Sequence, residues 1–197
     1  AILYVEGPLD EAVLDEYKGL ELDSAGVKII PIRGTKNLEG LVAVELLADL
    51  GIKTGILTDA TDPATMLERA KRKRSSEEKK VIDVLRIADE KGLPPPAVFG
   101  VSEDDLLFAL PADAVRGYLG GHFPGWKELV AECRQALGKT PADSVDWKSY
   151  AAETYGLQIN TPGGVREVVR SLDLKNVPLP SIRRVVDEII QWANSAD

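Results

Sequence analysis

Glu6 and Asp59 are the two residues in this chain whose setting best suits chemistry. Each closes an apolar run and is followed by turn-forming residues. Ile2-Leu3-Tyr4-Val5 leads into Glu6-Gly7-Pro8, and Lys53-Thr54-Gly55-Ile56-Leu57-Thr58 leads into Asp59-Ala60-Thr61-Asp62-Pro63. Short apolar runs bounded by such turns read as buried strands. Either carboxylate alone is explained by a polar turn or a helix cap. Two at matching strand ends are a different matter, because open α/β sheets bind ligands at the carboxyl edge of their strands. Carboxylates converging there offer hard oxygen donors, which suit a divalent cation such as Mg²⁺ or Mn²⁺.

Helices and strands in alternation must position them. Pro8 suits the first turn of a helix, expected over about Leu9–Tyr17 with Val13, Leu14 and Tyr17 on one face. Val27-Lys28-Ile29-Ile30-Pro31-Ile32-Arg33-Gly34 reads as a second strand and about Leu38–Leu50 as a second helix. Right-handed crossovers make the three strands parallel, so Glu6, Gly34 and Asp59 fall on one edge. Pro63 to Lys91 reads as helix, with a break at the capping box Ser75-Ser76-Glu77-Glu78. Ala97-Val98-Phe99-Gly100-Val101 reads as a fourth strand and Leu106–Leu110 as a fifth. A turn-rich hinge, Gly120–Gly125, precedes helices at about 126–137, 145–155, 164–172 and 181–193. The expected fold is Rossmann-like α/β with a mostly parallel central sheet flanked by helices over residues 1–121. A helical subdomain, residues 122–197, packs on it.

Val5-Glu6-Gly7 with Asp10 four residues after Glu6, Gly34 after the second strand and Asp59 at the end of the third resemble the TOPRIM domain. The acid at Asp10 makes the resemblance nearest to the OLD (overcoming lysogenization defect) nucleases. It covers residues 2 to about 62 well and the remainder loosely. It implies a Mg²⁺- or Mn²⁺-dependent endonuclease acting on DNA, with an ATPase domain upstream and a homo-oligomer as a compatible state. The implied metal ligands are Glu6, Asp10, Asp59 and Asp62. Val145-Asp146-Trp147-Lys148-Ser149-Tyr150-Ala151 resembles an OLD stretch that would bring Lys148 to the transition state as a catalytic residue beside Glu6 and Asp59. Gly34 would admit the substrate phosphate, with Arg33 and Lys36 as cations beside it. One departure stands out. The family pattern on the third strand is Asp-x-Asp, and here the second position is Thr61. Either Asp62 supplies the missing ligand from a shifted position or the metal site is weakened.

Charge and composition set bounds. The net charge is −8, from 24 basic and 32 acidic residues, which argues against a nucleic-acid binder working by bulk charge. A local basic track is then required, and Arg33, Lys36 and the run Lys71-Arg72-Lys73-Arg74 are candidates. A solvated helical face paired with Glu68, Glu77 and Glu78 is the plainer explanation of that run. The single cysteine, Cys133, allows no intrachain disulfide and fits a reducing, cytoplasmic setting. No apolar run is long enough to span a membrane. The chain opens at Ala1 with no initiator methionine and the first strand begins at once, as expected for a segment of a longer protein. No phosphate-binding Gly-x-x-x-x-Gly-Lys-Ser/Thr loop occurs. Two rival classes remain. One is a TOPRIM-like module that has lost its second aspartate and serves protein or DNA docking. The other is a Mg²⁺-dependent phosphotransferase, which usually carries a nucleophilic Asp where this chain has Glu6.

Overall fold

A computed structural model describes residues 1–32, 47, 49–172 and 180–195. Four strands form one all-parallel sheet: β1 (Ile2–Val5), β2 (Lys28–Pro31), β3 (Thr54–Thr58) and β4 (Ala97–Gly100), in the order β2-β1-β3-β4. Helices are α1 (Pro8–Ser24), α2 (Ser76–Glu90), α3 (Ala112–Tyr118), α4 (Trp126–Ala136), α5 (Trp147–Tyr155), α6 (Pro162–Ser171) and α7 (Pro180–Asn194). The strands are short and apolar because a parallel sheet is covered on both faces. Leu3, Tyr4, Val5, Ile56 and Leu57 are accordingly buried. Each such side chain contributes about 1.5–3 kcal/mol relative to exposure. The expected α/β class and parallel sheet are what the structure shows.

Two compact units divide the chain. The first comprises Ala1–Ala109 with Pro180–Asp197, and the second Leu110–Leu179. The break therefore precedes the expected 121/122 boundary, and the last helix belongs with the sheet. Long-range contacts explain this. Trp192 of α7 packs edge-on against Phe99 of β4, with ring centroids 5.4 Å apart, and lies over Gly55 of β3, where a Cβ would stand 3.1 Å from the indole. Lys53 Nζ donates to the carbonyls of Trp192, at 3.3 Å, and of Ser195, closing the carboxyl end of α7. Ile182, Val185, Val186 and Ile189 form its buried face.

Two expected elements differ. Leu106–Ala109 is a 3-10 turn, not a fifth strand. Asp105 Oδ1 accepts from the Leu107 amide at 3.0 Å and the Asp105 carbonyl from Phe108 at 2.9 Å, so local capping curls the apolar run. Residues 63–70 form turns, followed by the 3-10 turn Lys71–Lys73, and helix begins only at Ser76. Arg74 holds this bend by donating to the Met66 carbonyl at 3.0 Å and the Leu67 carbonyl at 2.9 Å. The expected capping box is present: Ser75 Oγ accepts from the Glu78 amide at 2.9 Å, and Glu78 Oε2 from the Ser75 amide at 3.0 Å. The helix expected at 38–50 lies mostly outside the described residues.

The second unit is helical among its described residues. Trp126 Nε1 donates to the Leu110 carbonyl at 2.8 Å, and its ring packs edge-on against Phe123 and Trp147 at 4.9 and 6.2 Å. Cys133 is buried, and desolvation raises its thiol pKa, which makes it a packed thiol. Gly164 is required by packing: a Cβ there would lie 2.1 Å from the Gln158 carbonyl oxygen.

Candidate metal centre

The sheet order sets the geometry. The chain leaves β1 for β2 on one side and returns to β3 on the other, so the β1/β3 pair is the point where strand order reverses. In doubly wound sheets ligands bind outside the carboxyl ends at this switch point. Val5 pairs in register with Leu57. Glu6 follows Val5 directly and Asp59 follows Leu57 by two residues, so both leave adjacent parallel strands at this edge. Each is partly buried.

Asp10 and Asp62 hold their own local structure. Asp10 Oδ2 accepts from the Gly7 amide at 2.8 Å, which ties the first turn of α1. Asp62 accepts from the Ala64 amide at 3.2 Å and the Thr65 hydroxyl at 2.6 Å, and lies 3.5 Å from Arg69 Nη2. The Thr65 hydrogen bond, aided by the Ala64 amide and the Arg69 charge, lowers the Asp62 pKa.

Thr61, where the resemblance calls for an acid, is buried at 1% exposure. Its hydroxyl donates to the Asp59 carbonyl at 2.9 Å and stands 2.9 Å from the Thr58 hydroxyl. This residue pins the turn from inside. A carboxylate pointing the same way would be buried beside a carbonyl and a hydroxyl, a costly place for a charge.

The turn is also braced by its neighbour. The Ala60 amide donates to the Glu103 carbonyl at 2.7 Å and the Thr61 amide to the Val101 carbonyl at 2.9 Å. Gly100 lets the chains approach, since a Cβ there would stand 2.3 Å from the Thr61 carbonyl oxygen. Ala60 sits between Asp59 and Thr61 at φ 46°, the one non-glycine residue with positive φ among the described residues. That left-handed conformation costs an alanine about 1–2 kcal/mol. Ala60→Gly should therefore raise stability by about 0.5–1 kcal/mol after the greater entropy of the unfolded glycine is offset. A denaturant midpoint measures this, and a lower midpoint would contradict the strain.

Among the described residues no three His, Cys, Asp or Glu side chains stand together as a metal-holding group. Carboxylates at this edge suit a hard cation in kind, because Mg²⁺ characteristically takes one or two of them and completes its shell with water and substrate phosphate. Glu6 and Asp59 are the carboxylates that directly follow the neighbouring strands β1 and β3 at this edge. Arg33, Gly34 and Lys36 lie outside the described residues. Lys148 belongs to the second unit, where its ammonium stands over the Trp147 ring, 5.2 Å from the centroid. Sequence reasoning missed the structural employment of Thr61 and Asp10, which depends on side-chain direction.

No curated protein matches the chain's sequence. Among solved structures it is similar to the C-terminal region of the Burkholderia pseudomallei OLD protein. The TM-score is 0.54 at 16% identity, over 98% of this chain and 97% of that one. It is also similar to the C-terminal region of the Xanthomonas campestris pv. campestris OLD protein. There the TM-score is 0.48 at 18% identity, over 98% of this chain and 94% of that one. At these identities the first likeness shows a shared fold. Residues 1–60 match the family described as overcoming lysogenization defect protein-like, TOPRIM domain. The strand-end acids Glu6 and Asp59 fall inside that match, so residues 1–60 are similar to an OLD-like TOPRIM domain.

Proposed function

We propose that this chain is the catalytic part of a metal-dependent DNA endonuclease. The observation that supports the proposal is the parallel pairing of β1 with β3, the strands that Glu6 and Asp59 follow, at the switch point of a sheet whose first 60 residues match an OLD-like TOPRIM family. In this reading Glu6 and Asp59 would hold Mg²⁺ or Mn²⁺, with Asp10 and Asp62 next to them in the chain as further ligands. When bound, the cation supplies Lewis acidity that offsets charge on the reacting phosphate and makes the attacking water more acidic. Glu6 accepts the proton of that water. Gly34 leaves room for the phosphate, Arg33 and Lys36 balance its charge, and Lys148 stabilises the charge that develops in the transition state. An upstream ATPase in a larger cytoplasmic protein, and a homo-oligomer, complete the proposal. Nicking of supercoiled plasmid by this chain with Mn²⁺ or Mg²⁺, abolished by EDTA, is the test.

A second reading has one observation in its favour. Thr61 is buried and hydrogen-bonded where the resemblance calls for a ligand, as a docking module without chemistry would allow. Such a module would bind Mn²⁺ no better than a surface carboxylate does and would leave plasmid intact.

A further inference from the structure

We propose that the 3-10 turn Lys71–Lys73 is a contact for the phosphate backbone of duplex DNA, set beside the Glu6/Asp59 edge. This rests on the nuclease reading for the identity of the polyanion. The turn lies between the carboxyl end of β3 and the start of α2. β4 is parallel to β3, so the chain must cross back to the amino edge before β4 begins. α2 makes that crossing, with 15 residues that span roughly 22 Å. The turn therefore precedes the crossing and stays at the carboxyl edge, where Glu6 and Asp59 leave their strands.

Local acids do not neutralise it. Glu77 pairs with Lys80 at 3.1 Å and Glu78 with Arg69 at 2.9 Å. Lys71, Arg72 and Lys73 are exposed and form no ion pair among the described residues. The run thus forms a solvated 3-10 turn without the local pairing expected of a helical face. The turn is also held from behind. Its next residue, Arg74, is anchored on the Met66 and Leu67 carbonyls, and the Lys73 amide donates to the Ala70 carbonyl at 2.7 Å. Three adjacent cations on an anchored turn, in a chain of net charge −8, give the local attraction that bulk charge denies. Their flexible side chains suit phosphates, which position a duplex without reading its sequence.

The test is binding of a fluorescent mixed-sequence duplex in EDTA, followed by anisotropy between 50 and 200 mM salt. Lys71→Ala/Arg72→Ala/Lys73→Ala is compared with a charge-matched control, Lys28→Ala/Lys127→Ala/Lys139→Ala. Losing three phosphate contacts should flatten the slope of log K against log salt by roughly 2–3. It should also weaken binding at least tenfold at low salt, with the control near the parent. An equal slope in both triple variants, or no duplex binding by the parent, overturns the proposal. Metal-dependent nicking with unaltered slopes would overturn it and leave the nuclease reading standing. A flattened slope with no nicking under any metal would uphold the turn and remove that reading.

Discussion

Asp59→Asn and Glu6→Gln should each lower metal-dependent plasmid nicking by on the order of 10²–10⁴-fold, the range spanned by loss of one positioned proton-transfer or charge-stabilising group. The asparagine keeps the shape of Asp59 but removes the negative charge that a hard cation selects. In the proposed mechanism the glutamine removes both a ligand charge and the base. Neither change should unfold the chain, because both residues lie beyond the strands at a partly exposed edge, while Leu3, Val5, Ile56 and Leu57 carry the packing. Initial rates beside thermal midpoints make the comparison. Cleavage at parental rate in both variants, with the fold intact, would remove these residues from the chemistry.

Arg69→Ala should destabilise the first unit by about 2–4 kcal/mol. Glu78 is fully buried, and its two oxygens are used separately: Oε1 meets Arg69 Nη1 at 2.9 Å and Oε2 accepts from the Ser75 amide at 3.0 Å. Removing the guanidinium leaves a buried carboxylate held by the Ser75 amide, with its cation gone. Arg69 itself keeps 34% side-chain exposure, so water enters part of the gap and the cost falls short of a fully enclosed pair. The same guanidinium donates to Thr65 Oγ1 at 2.7 Å and lies near Asp62, so the loop after Asp59 should loosen too. Urea unfolding measures the loss. Glu78→Gln added to Arg69→Ala should recover part of it, since the uncompensated charge is then gone. A loss below about 0.5 kcal/mol would show that the pair is solvated in solution.

The sheet and its two acids were legible from sequence for a simple reason. Apolar runs closed by turn-forming residues at Glu6 and Asp59, alternating with helical spacing, fit buried parallel strands. Their register and order were not written in any local pattern, and the 2-1-3-4 order is what makes β1 and β3, the strands before the two acids, neighbours. Leu106–Leu110 misled because a five-residue apolar run fits a strand or a buried turn, and the Asp105 cap decided it. Residues 63–74 carry helical spacing, yet Arg69 and Arg74 bind partners outside any single helix and fold the segment back. The place of α7 depends on Trp192 meeting Phe99 across 93 residues of chain, which no window of sequence contains. Asp62 reads from sequence as a cap on the next turn of chain, and it bonds Ala64 and Thr65 in that way.

Titration of Mn²⁺ into this chain by calorimetry, beside Asp59→Asn and Glu6→Gln, tests the central claim directly, because it needs no DNA and no cleavage. The parent should show one strand-edge site that binds well below the millimolar range of an isolated surface carboxylate, with its heat lost in either variant. Equal binding in all three proteins would place the metal elsewhere and contradict the assignment of Glu6 and Asp59.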